Sequence, residues 1–350
     1  MKLPERQRLI LKEIVDRFVR QHEPVSSRMI LEDYGLSVSS ATVRNEMNAL
    51  EEGGYIEKPY ASSGRVPTKK GYRFFVDWLF DLSELAKQDR VEIVEAYQMR
   101  CLEVGETMRQ TAFLLGHITG YAGFVVAPRL EETRLDRVVL VKMAPRWVLL
   151  VVVSALGVIE HGLIPLEEDL SQEETERVMS VVNQNLRGMR LGEVGNLALE
   201  EGPEGWYDRP VRAALSVLRP LLEKRIRQRL YFEGVLNLVD VLRAVNPQGA
   251  LDQFVGLIHG MEGEAGFIDA VRNTRGERHG LVVCVGDCPH QGLEEYSVVT
   301  CDYRPHSGVV GVIGPLWLDY GKALSATSYV ANRLEALLVA SCTRPGEETT

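Results

Sequence analysis

The chain opens on a helical pattern. Leu9, Ile10, Ile14, Phe18 and Val19 fall on one face of residues 5–21 and charged residues fall on the other, which predicts an amphipathic helix. His22-Glu23-Pro24 ends it. Ser26 or Ser27 then caps a short second helix through Tyr34, and Gly35 closes it. A third helix begins at a serine between Ser37 and Ser40 and stops at Gly53-Gly54. Tyr55 to Tyr60 reads as extended, Ala61 to Gly64 as a turn, Arg65 to Thr68 as a returning strand, and Lys69 to Phe80 as a helix leading away. Three helices, the last two joined by a short turn and followed by a β-arm, predict a winged helix-turn-helix domain over residues 1–80.

Residues 81–90 form a polar linker, and a helical pattern resumes over Val91–Ile118. The period then shortens to that of strands: Gly123–Ala127, Arg137–Met143, Trp147–Ser154 and Gly157–Ile164 are rich in Val, Leu and Ile, with turns between them. Connections as short as Ala144-Pro145-Arg146 imply antiparallel neighbours. Ser171-x-x-Glu174 is a capping box for a helix to about Asn185, and Gly-rich breaks separate it from helices in Pro210–Leu230. Tyr231–Val245 continues as helix. Leu281–Val285, Tyr296–Tyr303 and Val309–Ile313 return to strand, Gly321–Val339 is a last helix, and 344–350 reads as a disordered tail. Strands, helices and strands again predict an α+β domain, 91–166 and 231–343, with a helical segment inserted at 167–230.

Charge distribution changes this picture. The net charge of −9 is wrong in sign for a nucleic-acid binder. Residues 1–80, however, hold 13 Lys and Arg against 11 Asp and Glu, a surplus of +2, which leaves −11 on the remainder. Lys58, Arg65, Lys69, Lys70 and Arg73 stand in a stretch from Lys58 to Phe75 that contains no acidic residue. Phosphates respond to local field rather than net charge, so the basic arm attracts DNA and the acidic remainder confines contact to one end. The longest uncharged apolar run, Trp147 to Ile159, is too short for a bilayer span of about 20 residues, which predicts no membrane partner. The N-terminus lacks a secretory pattern, and the five cysteines are few and scattered, so the expected compartment is the reducing cytoplasm.

On the third helix, Val43, Met47 and Leu50 form the face expected to pack on the first two helices. The remaining positions carry Thr42, Arg44, Asn45 and Asn48, side chains able to pair with base edges in the major groove. Ser39 and Ser40 at the helix start suit a phosphate. Arg65, just past the arm's tip, is placed for a narrow minor groove, and Lys69 and Lys70 for the phosphate backbone. A solvated helix face beside a solubilising loop is the plainer alternative, and the agreement of helix, turn and arm weighs against it.

No nucleophile motif, Gly-rich phosphate loop or HExxH helix occurs, and His117, His161, His259 and His279 are scattered, so no enzyme activity is expected. Cys284, Cys288, His290 and Cys301 are metal-ligating types in a loose spacing, and no metal or other cofactor is expected there.

The stretches LPERQRLILKEIV, EPVSSR and YGLSVSSATVRNEMNALEEGGYIEKPYASSGRVPTKKGYRFFVD, with the later YFEGVLNL, SVVTCDY and GVIGP, resemble the bacterial heat-inducible transcription repressors of the HrcA family. The resemblance is close over the first 78 residues and looser beyond. It departs at Gly286-Asp287-Cys288-Pro289-His290 and after Gly314-Pro315. It implies a winged helix, a GAF-like domain and an inserted helical dimerisation segment. It also implies a homodimer on an inverted-repeat (CIRCE-type) operator of chaperone genes, supported by the GroE chaperonin and inactivated by heat. The same residues (Ser40, Thr42, Arg44, Asn45, Asn48, Arg65 and Lys69) carry the DNA role in that resemblance. A regulator gated by a small ligand in the GAF-like domain is the alternative.

Overall fold

The structure, a computed structural model, describes all residues except 1–2, 35–38, 61–62, 80–84, 99–103, 129, 156, 167–168, 198–229, 246, 262–263, 274–279, 305–307 and 343–350. Helices α1 (Glu5–Gln21), α2 (Ser27–Tyr34) and α3 (Ser40–Glu52) pack together, α3 through the face its periodicity predicts, while on α1 Leu11 and Val15 join Ile10 and Ile14 in the core and Leu9, Phe18 and Val19 are half-buried. Ile10, Leu11, Ile14 and Val15 of α1 meet Ile30 of α2 and Val43, Met47 and Leu50 of α3, all of them buried. Strands β1 (Ile56–Glu57) and β2 (Val66–Pro67) pair antiparallel, Ile56 opposite Pro67. The arm has a third backbone partner. Val25, in the link between α1 and α2, exchanges both main-chain hydrogen bonds with Arg65 at 2.9 Å each. Gly64 permits this approach, because a Cβ there would stand 2.6 Å from the Pro24 and Val25 carbonyl oxygens.

Helix α4 (Lys69–Leu79) joins these helices to the rest of the molecule. On one side Gly71 lies against the Tyr55 carbonyl oxygen, with no room for a Cβ. On the other, Tyr72, Phe75 and Val76 are buried, and the Tyr72 ring packs 6.0 Å from that of Tyr320. His22, at the end of α1, sits edge-on to Trp317 with its Nδ1 buried and without a hydrogen-bond partner. One apolar core therefore runs from α1–α4 into the body.

The body is built on a five-stranded antiparallel sheet of order β7-β3-β10-β9-β8, made of β3 (Ala122–Val126), β7 (Leu230–Glu233), β8 (Leu281–Val285), β9 (Tyr296–Tyr303) and β10 (Gly308–Pro315). Strands β3 and β10 are buried at every position, as expected where both faces are covered. Val125, Val299, Val310 and Val312 point to one side, against α5 (Lys87–Gln98), α6 (Val104–Thr119) and the long α12 (Tyr320–Cys342). Phe124, Val298, Val309 and Ile313 point to the other, against α9 (Val235–Val245), α10 (Ala250–Met261) and α11 (Glu264–Asn273). Phe124, Leu257, Phe267 and Tyr296 fill the space on that side.

A second, three-stranded antiparallel sheet, β4 (Leu135–Ala144), β5 (Trp147–Ser154) and β6 (Ile159–Pro165), has its own core with α7 (Gln172–Leu186) and α8 (Leu191–Leu197). Strand β5 alternates: Val148, Leu150 and Val152 are buried while Trp147 faces out. Helix α7 carries the predicted capping box, Ser171 Oγ accepting from the Glu174 N–H at 3.1 Å and Glu174 Oε2 from the Ser171 N–H at 2.7 Å. Asn183 on α7 covers the edge strand by bonding both the N–H and the carbonyl of Val138. On the opposite sheet face Val141, Met143, Trp147, Ile159 and Leu163 are exposed.

The chain is thus α+β, as its pattern of elements predicts, with three departures. The strand run 123–164 is divided between two sheets, β3 in the five-stranded sheet and the other three in the separate meander, where neighbours are antiparallel as expected. The expected division at 166/167 falls between β6 and α7, inside the meander's own unit. The helix expected over Tyr231–Val245 begins only after an edge strand, because Tyr231 and Phe232 pair with Val125 and Phe124 and Gly234 (φ +76°) turns the chain. The expected helices of 210–230 and the tail lie almost wholly outside the described residues.

Gly71→Ala is expected to destabilise the protein by about 1–3 kcal/mol, since the added methyl must push α4 away from Tyr55, and urea denaturation measures the loss.

Candidate nucleic-acid interface

Helix α3 is built to show one face. Ser39 is its N-cap, accepting from the Thr42 N–H at 3.2 Å, which leaves Ser40 as the first helical residue. With Val43, Met47 and Leu50 turned inward, Ser39, Ser40, Arg44, Asn45 and Asn48 are exposed and Thr42 is half-buried. Ser39 and Thr42 hydroxyls lie 3.0 Å apart. Six of the nine residues singled out in the sequence therefore share one surface, formed by the start and outer side of a single helix.

The β-arm lies beside that surface. Ser63 shapes its tip by accepting from the Tyr60 N–H at 3.0 Å and donating to the Tyr60 carbonyl at 2.7 Å. Tyr60 itself is 76% exposed there. The sequence signal for such an exposed ring is an aromatic residue just before the Ser-Gly turn. Arg65 does not extend outward. Its Nε and Nη2 donate to Glu51 Oε2 at 3.2 and 3.0 Å, and Nη2 donates to Asn48 Oδ1 at 2.8 Å, leaving the side chain 14% exposed. Lys58 also faces Glu51, at 3.6 Å.

The two lysines part company. Lys70 Nζ donates to the Gly53 carbonyl at 2.7 Å and stands 4.3 Å from the centre of the Tyr55 ring. A cation at that place offsets the negative end of α3. Lys69 turns to the body, where Nζ donates to the Glu294 carbonyl at 2.6 Å and lies 3.9 Å from the Glu295 carboxylate. Arg73, one turn on, follows it: Nη1 donates to the Val283 carbonyl at 2.8 Å and to Asp287 at 3.3 Å. The structure thus groups eight of the nine residues around α3 and sets Lys69 on the seam between α4 and the β8–β9 loop.

Elsewhere, Cys284, Cys288 and Cys301 are buried free thiols. Hydrogen bonding with Cys284 and burial push the Cys288 thiol upward, and burial pushes Cys301 up to about 12. Burial thus favours the thiol over the thiolate at both positions. Among the described residues no three His, Cys, Asp or Glu side chains converge on a metal-sized site, and no helix is long and apolar enough to cross a membrane.

The family model described as the HrcA protein C terminal domain matches residues 105–324. The heat-inducible transcription repressor HrcA of Geobacter sulfurreducens is 32% identical, covering 96% of this chain and 98% of its own. That of Syntrophobacter fumaroxidans is 31% identical over 99% of both chains. The crystal structure of a hypothetical protein has the same fold at a TM-score of 0.69, with 24% identity and coverage of 97% of this chain and 100% of that one.

Lys69→Ala is expected to cost about 1 kcal/mol of stability at low salt through loss of its tie to Glu294, and part of the difference closes at high salt as the Glu295 attraction is screened. Thermal melts of both proteins across a salt series measure it.

Proposed function

We propose that this chain, which belongs to the HrcA family of heat-inducible transcription repressors, represses by laying α3 in the major groove of an inverted-repeat operator of chaperone genes. The observation that carries this is the exposed polar face of α3, whose opposite face is locked into a core and whose side is flanked by a basic arm. On this reading α1–α4 with the β-arm are a winged helix, and the five-stranded sheet with its helices is a GAF-like domain. Arg44, Asn45 and Asn48 face base edges, Arg44 pairing with guanine and Asn45 with adenine, while Ser39 and Ser40 meet a phosphate at the helix start. Lys70 strengthens the local field from the C-terminal end of α3. Lys69 reaches a phosphate only by leaving Glu294 and Glu295.

An inverted repeat calls for two copies of the reading helix, and the exposed outer face of the β4–β6 meander supports a homodimer. Five exposed large apolar side chains on one sheet face are more than a monomer ordinarily leaves in water. A second copy covers them, with residues 198–229, part of the expected dimerisation segment, lying outside the described residues. Heat acts by lowering the amount of folded dimer, and a chaperonin of the GroE type restores it.

Asn45→Ala is expected to lose about 1–3 kcal/mol on an inverted-repeat duplex and little on a scrambled one. Equal losses on both duplexes reject a base-reading role for Asn45. Leu163→Glu is expected to turn the dimer into monomer in sedimentation velocity at micromolar concentration, and an unchanged sedimentation coefficient rejects the meander as the dimer face.

A further inference from the structure

We infer that Arg65 is not a groove-reading residue but a positioning residue that fixes which end of the Asn48 amide faces DNA. The inference rests on the proposed DNA reading and refines it. An arginine side chain only donates, so the Asn48 atom 2.8 Å from Arg65 Nη2 is the amide oxygen, and the assignment of its two ends follows from chemistry. Glu51, one turn further along α3, holds the same guanidinium through Nε and Nη2. The main chain of Arg65 is clamped as well, paired in both directions with Val25. An arginine this constrained is a strut between arm and helix.

The consequence lies in the face that Asn48 presents. A free asparagine pairs with adenine by accepting from N6 and donating to N7. Here Oδ1 is engaged by Arg65, while among the described residues Nδ2 makes no hydrogen bond. Asn48 therefore offers donors to the groove. Its preferred partners are acceptors in the major groove, guanine O6 and N7 or thymine O4, rather than the mixed edge of adenine. Arg65 sets this choice without touching a base.

The test is binding of the full-length protein to an inverted-repeat duplex of CIRCE type and to a set in which each base pair of the half-sites is replaced in turn, at several salt concentrations. Asn48→Ala should abolish discrimination, by about tenfold, at one base pair per half-site where G or T is preferred. Arg65→Lys and Glu51→Gln should weaken discrimination at that same pair, leave the others alone and leave the salt slope unchanged. The double variant Arg65→Lys/Asn48→Ala should be no worse there than Asn48→Ala, since both act through one side chain. If Arg65→Lys does not fold, Glu51→Gln, which keeps the arginine, decides the matter. Uniform weakening across all base pairs in Arg65→Lys, with a salt slope shallower by about one in Arg65→Gln, which removes the charge, would make Arg65 a phosphate contact and overturn the proposal. Lost discrimination at a different base pair would make Arg65 a base reader, with the same result. A wild type that prefers no inverted repeat over scrambled DNA would overturn the DNA reading itself, and this refinement with it.

Discussion

The rest of the molecule depends on the double coverage of the five-stranded sheet. Two of its interior strands, β3 and β10, have no solvated face, so each must be packed from both sides. On one side α6 and α12 do this, and α4 packs against α12 and β8. On the other, α9–α11 close a layer filled by Phe124, Phe267 and Tyr296. Everything else attaches to this three-layer body: the meander leaves it after β3 and returns through β7, and the α3 surface is aimed by its contact through α4.

Much of this was legible in the sequence, and the misses have physical causes. The helices of the N-terminal unit obey their periodicity because each has one apolar face and one wet face. Ser39 and the Ser171–Glu174 box mark helix starts because a free N–H at a helix end needs an oxygen. The strand at Leu230–Glu233 was hidden because its four residues are only half-buried at a sheet edge, and the adjoining apolar run is truly helical. The sheet membership of β3 was hidden because pairing with β10 spans more than 180 residues, and no local pattern encodes a partner that distant. Helix α10 lacks a clean polar face, since Leu251 and Val255 stay exposed on it.

The candidate site divides in the same way. Residue types and spacing on α3 were enough to separate the inward Val43, Met47 and Leu50 from the outward Arg44, Asn45 and Asn48. Long side chains were harder. Arg65 and Lys69 each have several rotatable bonds and end far from their Cα atoms, so their destinations depend on neighbours. Glu51 lies 14 residues from Arg65, and the Glu294 carbonyl lies 225 residues from Lys69. A basic stretch announces positive charge; only the fold decides how much of it is already spent on the protein's own oxygens.

The unbroken core through Tyr72 and Tyr320 has a thermal consequence. Two domains on a loose tether melt separately, and the smaller can outlast the larger. Here the helices that present α3 share buried surface with α12, so opening the body strips α4 of its support and exposes Phe75 and Val76. Unfolding enthalpies of contiguous parts then add within one cooperative transition, and a larger enthalpy makes that transition steeper in temperature.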